Sequence, residues 1–192
     1  SDSDRFCPYL HVSIQSGSTL ILKRMKRRYD REFLKDRLDA ARQHIDGLVL
    51  GADVMAGFPT ESEQDFADTA DVVDRSKVIY PHVFSFSARP GTPAARIPRQ
   101  VPKMERRRRS AILRTIGETN RRLALQRMIG SKGRLIVERS DVVTKSNAYH
   151  GRLANYMPVR LEDPEKASAN EVDVEIQGVS EEVLVARVSS SE

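Results

Sequence analysis

Residues 48–88, "LVLGADVMAGFPTESEQDFADTADVVDRSKVIYPHVFSFSA", decide the fold. "LVLGADVMAGF" is a short apolar run of the kind buried on both faces of a sheet. "TESEQDFADTADVVDRSKV" follows, with Phe66, Ala70 and Val73 recurring at helical intervals. Thr60 and Glu63 stand three residues apart at its start, the spacing of a capping box. "YPHVFSFSA" then returns to bulky alternation. A strand, a helix and a second strand within forty residues predict a parallel α/β unit, because parallel neighbours need a crossover of this length.

The flanks repeat the pattern. "YLHVSI", residues 9–14, reads as a buried strand, and it runs into Gln15, Ser16, Gly17 and Ser18. Residues 30–45, "DREFLKDRLDAARQHI", place Phe33, Leu34, Leu38, Ala41 and Ile45 on one helical face, with Gly47 as the stop. Downstream, Pro90, Pro93, Pro98 and Pro102 make residues 89–102 unsuited to a helix or a central strand. Pro102 suits a first helical position, and a basic helix runs from there to about Gly130. Beyond it, "GRLIVERS", "HGRLANYMPVRLE", "EVDVEIQG" and "EVLVARV" are four strand candidates with no helix between them, which suggests a small antiparallel β-barrel. The expected domains are thus residues 1–130 and 131–192.

Composition narrows the function classes. The chain has 192 residues, 39% apolar and 31% charged, and no apolar run of membrane-spanning length, so no membrane partner is expected. "SDSDRFCPYL" lacks the basic start and apolar stretch of a signal peptide and reads as a cut or a linker. The single cysteine, Cys7, excludes an internal disulfide and suits a reducing cytoplasm. The net charge is +5, and the excess is local: residues 99–127 hold 10 basic and 2 acidic residues. A stripe of that kind favours a polyanion such as RNA through counterion release; taken in isolation, the basic run reads first as a solvated helix face.

Ligands of parallel α/β folds sit at the carboxyl ends of the strands. Those ends are Gln15–Ser18, Ala56–Glu61 and Phe84–Ala95, rich in hydroxyl, amide and backbone N–H donors. Taken singly, each also reads as an ordinary strand-to-helix turn. Asp53 is unusual, a carboxylate between apolar strand residues that must be paired or reach a ligand. His11, His44, His82 and His150 show no metal-ligand spacing, and one cysteine builds no zinc or iron–sulfur site, so no metal is expected in this chain.

Three motifs in order, "LHVSIQSGSTLILKRMKRRY", "GADVMAGFPTESEQDF" and "HVFSFSARPGTPAARIPRQVP", closely resemble the later strands of radical S-adenosylmethionine (SAM) methylthiotransferases. The segment with "IVERS", "HGRLANYMPVRL" and "VDVEI" is similar to the TRAM RNA-binding domain of those enzymes. The resemblance implies the later part of a (β/α) radical SAM barrel followed by an OB-like barrel. It also implies methylthiolation of a tRNA adenosine at C2, beside the anticodon at position 37. "YPHVFSFSARPGTPAA" is most similar to members acting on threonylcarbamoyladenosine, with isopentenyladenosine the close alternative. The cofactors implied are SAM and [4Fe–4S] clusters. The family's Cys-x-x-x-Cys-x-x-Cys is absent here, so the missing amino-terminal half of such an enzyme is an expected partner and this chain by itself is expected to be inactive.

By the same resemblance, Gln15, Ser16, Arg24, Asp53, Gly57, Phe58, Ser85 and Ser87 would form the SAM wall; catalytic residues stay unassigned. Arg106, Arg107, Arg108, Arg109, Arg121, Arg122, Lys132 and Arg134 are the RNA candidates, within a surface of the basic helix and residues 131–152. Residues 153–192 hold 3 basic and 9 acidic residues, which turns the RNA contact away from the end of the barrel. A non-catalytic RNA-binding module is the competing function class, and a truncated product with an open barrel edge is the third reading.

Overall fold

The structure is a computed structural model that describes residues 6–138, 149–162 and 170–189. The chain divides into two compact units, one of Leu10–Arg121 and one of the chain from Arg122 onward together with the stretch up to Tyr9. The first unit is built on a three-stranded sheet in the order β1 (Tyr9–Gln15), β2 (Val49–Ala56), β3 (Val78–Ser85). β2 and β3 are parallel, joined through helix α3 (Glu63–Arg75), as the opening motif requires. Two further helices, α1 (Thr19–Arg24) and α2 (Arg31–His44), connect β1 to β2.

One face of the sheet makes the core. Ile14 from β1 and Leu50, Ala52, Val54 and Ala56 from β2 are buried against Leu22, Leu34, Leu38, Phe66, Val72, Val73 and Leu113 of the helices. At about 25 cal/mol per Å² of apolar surface, this continuous burial is the main stabilising term. β1 differs from the fully buried strand read in its sequence. Its pattern alternates, with Leu10, Val12 and Ile14 at the core and His11 and Ser13 exposed, so one face of the sheet carries polar side chains.

Local signals are displaced in four places. The helix start read at Thr60 and Glu63 forms instead at Ser62, whose hydroxyl accepts from Asp65 N while Asp65 accepts from Ser62 N. Thr60 lies at φ +69°, outside helical geometry. Phe33, read as a core residue, is 52% exposed, because α2 centres its buried face on Leu34 and Leu38; Arg37 lies over its ring. The proline-rich stretch contains a helical turn, α4 (Pro93–Arg96), capped by Thr92, since proline is tolerated in a first turn. The long helix α5 runs Lys103–Arg127; Pro102 precedes it and supplies the carbonyl that receives Arg106 N.

The second unit is a closed barrel in the order β4-β5-β6-β8-β7, formed by β4 (Lys132–Glu138), β5 (Tyr149–Leu153), β6 (Pro158–Leu161), β7 (Glu171–Ser180) and β8 (Val183–Val188). Its pairs are antiparallel except β6 with β8. The candidate "HGRLANYMPVRLE" is two strands rather than one, broken at Asn155–Tyr156, where Tyr156 takes φ +70° and donates its N–H to Leu153 O. Leu135, Val159, Val174, Ile176 and Leu184 fill the barrel at alternate strand positions. The fold is therefore a partial radical SAM-type α/β sheet followed by a five-stranded OB-like barrel. No helix among the described residues is long and apolar enough to cross a membrane.

Candidate functional site

The strand ends gather where the parallel topology predicts. A cavity of about 390 Å³ opens beside them, lined by Gln15, Arg24, Met25, Lys26, Arg27, Met55, Phe58, Phe86, Ser87, Arg89 and Thr92–Ala94. That volume is in the range of small-molecule sites. Gln15, at the end of β1, takes φ +62°, an uncommon conformation for a non-glycine residue and one that recurs at ligand sites. Phe58 and Phe86 meet edge to face at 5.4 Å and give the cavity an apolar wall, while Arg24, Lys26, Arg27 and Arg89 add cationic groups. Arg24 also donates to the Thr60 hydroxyl, which ties its guanidinium to the β2 strand end.

Of the eight SAM-wall residues read from the sequence, Gln15, Arg24, Phe58 and Ser87 line this cavity. The others hold the turn that shapes it or lie elsewhere on the sheet. Ser16 is fully buried; its hydroxyl meets Thr69 Oγ1 at 3.1 Å and receives Ser18 N. Gly17 N donates to the same Thr69 oxygen at 2.9 Å, and a Cβ at Gly17 would overlap the Asp68 carbonyl. Ser18 caps α1 and donates to Asp65 at 2.5 Å. Burial pushes the Asp65 carboxyl up, but hydrogen bonds from Ser18 and Ser62 outweigh it, and the net shift is down. Gln-Ser-Gly-Ser is thus one cavity-lining amide followed by three small residues that dock the turn on α3.

Gly57, at φ +75°, packs against the Arg106 side chain, so a side chain there meets both strain and overlap. Ser85 bonds Ser110 at 2.8 Å. Asp53 pairs with His11 on the polar face of the sheet, 3.1 Å from Oδ1 to Nε2. Met25, Lys26, Arg27 and Met55 are cavity residues outside the strand ends read from the sequence; Phe86 and Arg89 fall within Phe84–Ala95 but were not singled out there.

The arginine run divides by helical phase, since residues three apart share a face and adjacent ones do not. Arg109 is 5% exposed, with Nη1 2.6 Å from Glu61 Oε1, Nη2 3.1 Å from Glu63 and Nε 2.7 Å from Glu105. It belongs to the interior of the fold rather than to a surface RNA can reach. Arg106 is half-buried and donates to the Phe86 carbonyl. Arg107 is exposed. Arg108 is exposed but bonded to Glu105, with a further ion pair to Glu63 at 2.7 Å. Hydrogen bonding from Arg108 and Arg109 holds the Glu105 carboxyl down at about 2. Arg121 lies over the Tyr80 ring, 5.6 Å from its centroid. In the second unit, Arg122 and Lys132 are exposed, and Arg134 lies 3.6 Å from Glu171. Of the RNA surface read at 131–152, residues 139–148 lie outside the described residues.

The donor set of the cavity is compatible with SAM: an amide, a hydroxyl, a guanidinium and an aromatic pair are among its lining groups. A [4Fe–4S] cluster does not fit. It needs several thiolates, and the chain offers the exposed Cys7 alone.

Comparison with known proteins bears on the family of the fold. The Radical SAM superfamily model matches residues 3–73. The threonylcarbamoyladenosine tRNA methylthiotransferase MtaB of Rickettsia prowazekii is 38% identical over 157 residues, 82% of this chain and 37% of that protein. The tRNA-2-methylthio-N(6)-dimethylallyladenosine synthase of Corynebacterium efficiens is 34% identical over 193 residues, 97% of this chain and again 37% of the relative. MtaB of Bacillus subtilis is 34% identical over 91% of this chain and 39% of its own length. The chain thus spans under half the length of these curated relatives. Motif order, fold and matches together show a radical SAM segment followed by a TRAM-like barrel, similar to the corresponding part of these tRNA methylthiotransferases.

Proposed function

We propose that this chain supplies the SAM-binding wall and an RNA-binding barrel of an enzyme that methylthiolates an N6-modified adenosine in tRNA. The convergence of three strand ends on one cavity carries the reading: Gln15 at the end of β1, Phe58 after β2 and Ser87 after β3 all line it. Gln15 and Ser87 would hydrogen-bond the ribose or methionyl group, and Arg24 would pair with the methionyl carboxylate. SAM supplies the methyl group and the radical precursor. The thiolates for the cluster must come from residues outside this sequence. A protein context that keeps such thiolates reduced, as the cytoplasm does, is part of this reading.

The substrate base has two readings. "YPHVFSFSARPGTPAA" favours threonylcarbamoyladenosine, and two of the matched relatives carry that name. The relatives matched over 97% of the chain are named for dimethylallyladenosine, which makes that base the first to test. Calorimetric titration of the chain with SAM is the direct experiment: saturable binding that Gln15→Ala weakens supports the cavity assignment, and unchanged affinity rejects it. Mass spectrometry of tRNA nucleosides from cells with and without the gene separates the two bases by which methylthio derivative disappears. Loss of neither derivative, with tRNA binding intact, would favour the RNA-binding module.

A further inference from the structure

His11 on β1, Asp53 on β2 and His82 on β3 come together on the polar face of the sheet, outside the cavity residues. Their sequence separations carry no metal signature; the sheet makes the grouping. The parallel register sets Asp53 opposite His82, and β1 is the other neighbour of β2. His11 Nε2 lies 3.1 Å and His82 Nδ1 3.7 Å from the same oxygen, Asp53 Oδ1. One potential ligand atom from each residue falls within 4.8 Å of the other two. The imidazole rings pack at 4.7 Å between centroids.

We propose that His11, Asp53 and His82 form a binding site for one divalent first-row transition-metal ion. Ligands bound at about 2.0–2.1 Å in tetrahedral array stand about 3.3 Å apart, and the two separations from Asp53 Oδ1 bracket that spacing. Two imidazoles and one carboxylate suit zinc, iron or cobalt; magnesium and calcium require sets dominated by oxygen. A neutral His pair with a single carboxylate leaves a bound dication with net positive charge, so the remaining coordination positions favour water or an anionic ligand. The site is accessible, the side chains of His11, Asp53 and His82 being 31%, 30% and 62% exposed. Asp53 stands between the core residues Ala52 and Val54, so backbone packing fixes the central ligand before any ion arrives. The site uses none of the residues assigned to SAM in the cavity, and its test is independent of that assignment.

The test is titration of the untagged 192-residue chain with cobalt(II) in metal-free buffer, followed by its visible d–d absorption. The expected result is saturation at a single equivalent, reversed by zinc(II), with thermal stability raised by the metal. His82→Ala, at the most exposed ligand, should preserve the fold and weaken cobalt binding by about tenfold or more. His11→Ala and Asp53→Asn should do the same, and His150→Ala should leave binding unchanged. Absence of a saturable band, or equal binding by His82→Ala and the parent chain, overturns the proposal.

Discussion

Arg109 Nη1 lies 2.6 Å from Glu61 Oε1, and both side chains are almost wholly buried, at 6% and 1% exposure. Glu61 Oε1 also accepts from Gly57 N, so this ion pair joins the β2 strand end to α5. Burial alone pushes the Glu61 carboxyl up, against the pull of the guanidinium and the Gly57 N–H. A buried pair broken on one side leaves an uncompensated charge. Arg109→Ala should therefore lower unfolding free energy by about 3–5 kcal/mol in urea denaturation. Exposed Arg107→Ala should change it by no more than about 0.5 kcal/mol. A stability loss confined to Arg107 would contradict the assigned roles.

Arg107, Arg122 and Lys132 carry the opposite expectation. Each is exposed, and replacing each with Ala should weaken tRNA binding. The slope of log K against log salt should fall by about 0.7–0.9 for every phosphate that the variant no longer neutralises. Filter binding across a salt series measures it. An unchanged slope for all three variants would remove them from the RNA surface.

Gln15→Ala and Ser16→Ala separate ligand contact from turn structure, although the residues are adjacent. Gln15→Ala should weaken SAM binding by about tenfold, equivalent to about 1.4 kcal/mol, and leave the melting temperature nearly unchanged. Ser16→Ala removes a buried hydroxyl that joins Thr69 and Ser18 N, and should cost about 1–2 kcal/mol of stability. Paired calorimetry and thermal melts check both; reversed effects would exchange the two roles.

Gly17→Ala tests the docking of the turn on α3. Its Cβ would overlap the Asp68 backbone, which cannot swing aside as a side-chain tip can. Destabilisation of about 1–3 kcal/mol is expected, with SAM affinity falling because Gln15 is displaced. A variant of parental stability would show that α3 stands farther from the turn.

Glu105 should contribute to the acid limb of stability alongside Asp65 and Asp71, whose carboxyls are also held down. The Glu105 carboxyl is held at about 2 in the folded chain against an ordinary value of 4.5. Between those values the unfolded chain binds more protons, so stability falls as pH drops. The difference in unfolding free energy between the parent and Glu105→Gln should be constant near neutrality. It should shrink as pH falls from about 4.5 towards 2. A difference that grows on acidification would reverse the sign of the linkage.

Much of this architecture is legible in one dimension. Periodicity places α2, α3 and the strands around them because burial of one helical face or one strand run leaves a local pattern. The cap at Ser62 was displaced from Thr60 because both segments offer a small polar residue and a carboxylate three positions later; Thr60, in the left-handed region, cannot enter the helix. The arginine run was legible as charge and illegible as surface. Beside the local Glu105, Arg109 finds the acidic partners Glu61 and Glu63, more than forty residues away, and Glu61 is itself buried.

By itself the sequence determined the alternation of strand and helix, the barrel that follows, the absence of cluster thiolates and the three strand ends rich in polar groups. Tertiary structure alone decided which side chains share a site. It sent Gln15 to the cavity and Ser16 into the turn, buried Arg109 while leaving Arg107 exposed, and brought His11 and His82 to Asp53. The physical reason is that hydrophobic periodicity is a local property of the chain. Ion pairs, shared hydroxyls and ligand sets form between residues that parallel register and helix packing bring together from distant positions.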